Sequence, residues 1–291
     1  LVTGATGFLG KHLVELLKPR GRVRLLCRGA SPWDNDPLVE VVRGDIVDQE
    51  AVTRAMQGVG QVYHLAGIVS REPRGAGRLY QVHVEGTRHL CEASLVHRPD
   101  KMVMVSSSGT VAVGPAPVAY DENSGYTNEV VGEWPYYLSK IFAEKLAFWY
   151  AAQQKLPIVV VNPSLLLGPG DDRGSSTGDV ELFLAGQILA VPLGGMSFLD
   201  ARDAAAGLVA AMERGRIGER YLLGGPNWTF RELIEAVARV AGRRAPSMQL
   251  PVGAARWGAR LLRATYPLIG KTYRLDDASI RMSALFWYCD T

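Results

Sequence analysis

An α/β fold, with a doubly wound parallel sheet and a smaller C-terminal substrate domain, is what this sequence predicts. Three observations predict it. Leu1 and Val2 run into a turn with glycines at positions 4, 7 and 10, and an apolar-periodic run from Leu13 to Leu17 follows. Short β-branched strands then alternate with helical segments through most of the first half, the pattern of parallel β-α-β units. Several strands end in small residues, as at Ala66-Gly67 and Ser106-Ser107-Ser108-Gly109, and such sheets bind ligands beyond the carboxyl ends of their strands. Residues 1–165 are expected to form the sheet domain. Residues 166–291 are expected to be mainly a substrate-binding domain, with 195–223 returning to the sheet.

The opening turn carries the first chemical signal. Gly4 allows the turn, Gly7 lets backbone approach a pyrophosphate, and Gly10 lets the helix pack closely on the strand. The helix start then offers free N–H groups and the positive end of its dipole to phosphates. Only Leu1 and Val2 precede the turn, fewer than the about five residues of an ordinary strand, so part of that strand is expected upstream of Leu1. Asp290-Thr291 likewise reads as an abrupt stop.

The helix from Lys11 ends near Pro19 and Gly21, and Val23 to Cys27 is a second strand. Arg28 follows it directly. An acidic residue near this place would bond an adenosine ribose 2′-OH, whereas an arginine accepts a 2′-phosphate, so Arg28 favours NADP(H) over NAD(H). A solvated loop arginine is the alternative.

Val39 to Arg43 is a third strand. Asp48 to Met56 is a helix with acidic residues in its first turn, and Val59 to Leu65 a fourth strand. Gly86 to Ser94 is a helix leading to the strand Met102 to Ser106. After a loop to Gly132 comes Tyr136-Tyr137-Leu138-Ser139-Lys140, continuous with the helix Ile141 to Tyr150, and then the strand Ile158 to Val161. In the second half, Asp171 to Gly178 reads as a mobile polar loop near the substrate. Helices are expected at Val180–Leu189, Ala201–Met212 and from Thr229 to Ala241, the last opened by a capping box, with strands at Ser197–Leu199 and Tyr221–Leu223. Val252 to Leu262 is amphipathic, with Arg256, Arg260 and Arg263. It is either a solvated face or a surface for a membrane or a lipophilic substrate.

Composition narrows the function classes. The 291 residues carry a net charge of +3, too little to indicate nucleic acid. Cys27, Cys91 and Cys289 are scattered and form no CxxC pair, so neither a zinc site nor a disulfide framework is indicated, and a reducing cytoplasmic compartment fits. No apolar run approaches the about 18 residues of a membrane span.

Tyr136 and Lys140 are four residues apart, on one helix face. A cationic lysine beside a phenol favours phenolate and is expected to lower the tyrosine pKa, making Tyr136 a general acid or base. Ser108, or its neighbour Ser107, supplies a hydroxyl for the same substrate oxygen. With these residues in order, the chain resembles the extended short-chain dehydrogenases/reductases of the NAD-dependent epimerase/dehydratase group. Thr3 to Gly10 resembles the family's cofactor turn, Gly44-Asp45-Ile46 its adenine-contacting segment, and Tyr63-His-Leu-Ala-Gly67 the strand end beneath the cofactor. Ser106 to Thr110, Tyr136-x-x-x-Lys140, Asn162-Pro163-Ser164 and Phe198 to Asp203 follow in the family's order.

The resemblance implies a Rossmann domain and a catalytic set of Ser108, Tyr136 and Lys140, with the register between Ser107 and Ser108 open. It also implies cofactor contacts from Gly4, Thr6, Gly7, Phe8, Leu9, Gly10, Arg28, Asp45, Ile46, Leu65, Ala66, Gly67, Ser106, Tyr136, Lys140, Pro163 and Ser164, with no metal. The family often has Asn-Val-x-Gly-Thr where this chain has His83-Val84-Glu85-Gly86-Thr87, so His83 is expected to replace the asparagine's hydrogen bonds. Dihydroflavonol reductase-like enzymes, 3β-hydroxysteroid dehydrogenase-like enzymes and the hopanoid-associated sugar-epimerase-like group resemble it most; with Arg28 and the apolar stretch Val160 to Gly168, this implies NAD(P)H-dependent reduction of a lipophilic or aromatic ketone, and a possible homodimer. A nucleotide-sugar epimerase or dehydratase with tightly bound NAD, and a non-catalytic NADP(H)-sensing protein, are the other two readings.

Overall fold

The computed structural model describes residues 1–70, 75–270, 272–273 and 275–291. Strand β1 (Val2–Thr3) leads through the glycine turn into helix α1 (Phe8–Leu17), then β2 (Val23–Cys27) and β3 (Val39–Arg43). Helix α2 (Gln49–Met56) starts at Asp48, whose carboxylate accepts from the N–H groups of Glu50 and Ala51. Strand β4 (Gln61–His64) follows, then the short α3 (Ala76–Tyr80), a π-helical turn at Gln81–Glu85, α4 (Gly86–His97) and β5 (Lys101–Val105). Beyond β6 (Ala119–Tyr120) and α5 (Asn128–Val131), the 20-residue α6 (Pro135–Gln154) opens on a proline, which fits the first helical position. It leads to β7 (Ile158–Pro163) and β8 (Leu165–Leu167).

The later chain forms α7 (Gly178–Leu184), β9 (Gly195–Asp200), α8 (Ala201–Arg214), β10 (Arg220–Leu223) and β11 (Asn227–Thr229). Helix α9 (Phe230–Val240) then carries the complete Thr229/Glu232 capping box. Helices α10 (Val252–Thr265) and α11 (Asp277–Met282) and strand β12 (Phe286–Cys289) complete it.

Seven strands pair in the order β3-β2-β1-β4-β5-β7-β10, all parallel. The chain builds outward from β1 to β3, then returns to β4 on the other side of β1. That reversal makes a crevice at the carboxyl ends of β1 and β4, where ligands of such sheets bind. Helices α1 and α8 cover one face through Leu13, Val14, Ala204 and Leu208. Helices α2, α4 and α6 cover the other through Ala51, Ala55, Leu90, Ala143 and Ala147. A smaller sheet runs β11-β9-β12-β6, with β8 against β9. Within 195–223, α8 and β10 pack on the large sheet, whereas β9 belongs to the small one.

Two glycines set the geometry of the crevice. Gly4 has φ +74°, and a Cβ on it would lie 2.6 Å from the backbone of Leu65 and Ala66. A Cβ on Gly10 would lie 2.3 Å from the Gly4 carbonyl oxygen, so α1 starts against the turn with no room for a side chain. Gly10→Ala is expected to push α1 off β1 and to lower the unfolding free energy by about 1–3 kcal/mol, as overpacking does. Urea denaturation followed by circular dichroism measures it, and an unchanged midpoint would contradict the close packing.

Candidate active site

The crevice is a cavity of about 1080 Å³, and most of the residues expected from the sequence line it. Gly4, Thr6, Gly7, Phe8, Leu9 and Gly10 form its floor at the start of α1, and Arg28, Leu65 and Gly67 come from the ends of β2 and β4. Ser106, Ser107 and Ser108 come from the end of β5, Tyr136 and Lys140 from α6, and Pro163 and Ser164 from the end of β7. Three expected cofactor residues do not line it. The Asp45 carboxylate is held by Arg78 at 2.8 Å and lies 4.0 Å from Arg28. Ile46 is buried beneath Gly86. Ala66 gives its N–H to Thr3 Oγ1 at 3.2 Å.

The donor set fits a dinucleotide. Helix α1 begins at Gly7 with no side-chain cap and no acidic residue in its first turn, so its end is suited to phosphate. Among the described residues, the buried Ser164 Oγ has no hydrogen-bond partner, and Ser164 stands in the cavity wall.

Ser107 stands beside Tyr136, close enough for its hydroxyl to favour the phenolate. Ser108 lies near the Cys289 thiol. Ser107 has an extended backbone and precedes a 3-10 turn at Ser108–Thr110, and both serines line the cavity. The expected lowering of the Tyr136 pKa is not found: burial pushes it up to about 12, only partly offset by the neighbouring Ser107 hydroxyl. Desolvation of the neutral-to-charged step outweighs any field from Lys140. Lys140 is itself buried, which lowers its pKa to about 8 against an opposing pull from Glu144. Its Nζ donates to the Val105 carbonyl at 3.0 Å.

Glu144 lies one turn beyond Lys140 and is fully buried. Its Oε1 accepts from Ser106 Oγ, from Thr110 Oγ1 at 2.8 Å and from Asn162 Nδ2 at 2.6 Å, and its Oε2 accepts from Arg220 at 2.7 Å. Asn162 Nδ2 also donates to the Ser107 carbonyl at 3.1 Å. The Arg220 guanidinium stacks on Tyr126 and Phe148, 4.6 and 5.3 Å from the ring centroids. This cluster holds the serine loop against α6.

Two buried histidines hold the other side. The Ile68 N–H donates to His83 Nε2 at 3.0 Å, so His83 carries its proton on Nδ1 and donates to Ser139 Oγ at 2.7 Å. Ser139 Oγ donates in turn to the Tyr136 carbonyl at 2.7 Å. Thr87 Oγ1 donates to the His83 carbonyl at 2.6 Å, so it accepts from His64 Nε2 at 3.1 Å; His64 Nδ1 then accepts from Thr3 Oγ1 at 2.8 Å. Burial, reinforced by the Lys140 charge, lowers the pKa of His64 to about 3 and of His83 to about 2.

A model of the NAD dependent epimerase/dehydratase family matches residues 1–224. The chain belongs to this family. It is 32% identical to a Synechocystis sp. protein provisionally named dihydroflavonol 4-reductase, over 99% of this chain and 86% of that protein. It is also 32% identical to sterol demethylase protein B of Methylococcus capsulatus, over 86% of this chain and 77% of that one. The crystal structure of gox2253 matches with a TM-score of 0.83 at 30% identity, covering 99% of this chain and 88% of that chain. This member of the epimerase/dehydratase family is an NAD(P)-dependent enzyme of the short-chain dehydrogenase/reductase type.

Some parts of the site were not read from the sequence. Glu144 follows Lys140 at i+4, a spacing that marks a shared face, but a buried carboxylate could not be told from a surface one. Met196, Leu275, Met282 and Trp287 reach the cavity from elements far along the chain. The loop expected to be mobile is organised around Asp171, whose carboxylate accepts from the backbone N–H groups of Ser175, Ser176 and Thr177 and from the Ser175 and Thr177 hydroxyls.

His64 and His83 bind fewer protons folded than unfolded between their depressed values and the ordinary histidine range near 6.5. Unfolding free energy is therefore expected to be full above about pH 6.5 and to fall as pH drops toward 3, by up to about 1.4 kcal/mol per pH unit per histidine. His83→Asn keeps one acceptor for Ile68 and one donor for Ser139 while removing the titration. Urea denaturation across this pH range should show that variant losing about one proton from the slope.

Proposed function

We propose that this enzyme reduces a ketone on a lipophilic or aromatic small molecule, with Tyr136 as the proton donor. The observation that carries the reading is the cavity that holds Tyr136 and Ser107, whose wall includes Trp134, Tyr137, Met196, Leu275, Met282 and Trp287 beside polar residues such as Asp171, Asp276 and Ser279. Aromatic rings and thioethers bury apolar surface and offer few partners to a sugar's hydroxyls. The names of the Synechocystis and Methylococcus relatives, a reductase acting on a flavonoid and a sterol demethylase component, belong to the same chemical range.

A reduced nicotinamide supplies a hydride to the carbonyl carbon when bound. Ser107 and Tyr136 hold the carbonyl oxygen between two hydroxyls and stabilise its developing negative charge. As the C–O double bond becomes a single bond, the Tyr136 O–H proton passes to the alkoxide. A pKa near 12 keeps the phenol protonated at neutral pH, as a donor requires. Lys140, near pKa 8, then stabilises the phenolate and is poised to return the proton. Glu144, Asn162, His83 and Ser139 position these groups.

Tyr136→Phe is expected to lower kcat by about 10²–10⁴-fold while leaving cofactor binding within a few-fold. Ser107→Ala should cost more activity than Ser108→Ala. Oxidation of NADPH, followed by absorbance with a panel of apolar ketones beside a panel of UDP-sugars, gives the readout. Conversion of a UDP-sugar with no net cofactor consumption would favour the epimerase reading instead.

Arg28 supports NADP(H) as the preferred cofactor. Its side chain is 60% exposed at the cavity rim, and Asp45, the nearest acid, is already engaged by Arg78. Arg28→Ala is expected to weaken NADPH by about tenfold or more, the scale of a lost charge-assisted phosphate contact, with little effect on NADH. Titration of intrinsic fluorescence with each cofactor measures both, and equal losses would reject the role.

A further inference from the structure

From Ala236 to Leu275 the chain has seven arginines and a lysine and no aspartate or glutamate. The whole protein is only +3, so the remainder is net acidic and this stretch is a local positive field. Helix α10 stands within it and is amphipathic in an unusual sense. Its inner face buries Ala259 and packs Ala255 and Leu262 around Tyr273 and Ile280. Arg256 is drawn inward to Asp277 at 2.6 Å. The outer face presents Trp257 and Leu261, 74% and 66% exposed, and the 3-10 turn that continues the helix presents Leu268, 83% exposed. Spacings of four and seven residues keep the three on one side of the helix. Arg260 lies beside them, exposed and without an ion-pair partner among the described residues.

We propose that this face docks on an anionic lipid bilayer, with Trp257, Leu261 and Leu268 at the boundary between headgroups and acyl chains. An apolar stripe with a tryptophan, flanked by arginines and free of acids, is the pattern of a helix lying in a membrane interface. A second copy is a poor occupant, because it would bring two basic, acid-free stretches together. No helix of the described residues is long and apolar enough to cross a membrane, so the attachment is peripheral. Leu275 packs against the inner face of α10 and also lines the active-site cavity, so docking sets that cavity one helix away from the bilayer and its lipophilic substrate. This consequence rests on the lipophilic-substrate reading; the docking does not, and it is measured without substrate.

The full chain is mixed with vesicles of phosphatidylcholine alone and of phosphatidylcholine with phosphatidylglycerol, and binding is read by sedimentation. Binding to the anionic vesicles, weakened by salt and absent from the neutral ones, is the expected result. The double variant Trp257→Ser, Leu261→Ser is expected to lower the partition coefficient at least about tenfold, and Arg260→Glu by about tenfold. All three side chains are exposed, so circular dichroism and NADPH binding should be unchanged and show that the variants fold. Absence of vesicle binding overturns the proposal. So does binding that these variants leave intact, or self-association that the same variants abolish.

Discussion

The buried carboxylate of Glu144 is the interaction on which the site's geometry depends. A lone carboxylate at this depth would cost several kcal/mol, and the offset comes from Arg220 and from three neutral donors. Those partners belong to different parts of the fold: Ser106 and Thr110 follow β5, Asn162 is in β7 and Arg220 is in β10. A single anion thus pins the ends of three neighbouring strands to the helix that carries Tyr136 and Lys140. Asn162 also holds the Ser107 carbonyl, so the cluster fixes the backbone of the serine loop.

On the opposite side, two neutral histidines carry polar order from the glycine turn to the catalytic helix. One chain runs from the Ala66 N–H through Thr3, His64 and Thr87 to the His83 carbonyl. The other runs from the Ile68 N–H through the His83 ring and Ser139 to the Tyr136 carbonyl. Each hydroxyl in these chains both accepts and donates, so each tautomer is determined. Thr3, His64, His83, Thr87 and Ser139 are thus satisfied together across β1, β4, α4 and α6, and a partly satisfied network at this depth would be costly.

The same burial shapes the chemistry. It raises the phenol of Tyr136 and lowers the ammonium of Lys140, in each case disfavouring the charged form. In the proposed reduction a neutral phenol is the form that gives a proton. The apolar wall comes from the start of α6, the small sheet, Leu275 and α11, and α10 backs Leu275 with its own inner face. Its outer face, with Trp257 and Leu261, is left to solvent.

The local pattern of the sequence determined the strand-helix alternation, the parallel sheet and the glycine turn, because period, turn chemistry and missing side chains act within a few residues. Gly4 and Gly10 were legible for that reason, as were Tyr136 and Lys140 four residues apart on one helix. His83 was expected to take an asparagine's place, and its two ring nitrogens make one bond as acceptor and one as donor. Other features were decided only by the tertiary structure. The 3-10 turn that follows Ser107 at the end of β5 is one of them. The exclusion of Asp45, Ile46 and Ala66 from the cavity wall follows from the partners they find across the fold. The rise in the Tyr136 pKa follows from how much water its neighbours remove. Sequence spacing records which groups share a face, but burial and long-range partners exist only once the sheet, α6 and the small domain have come together.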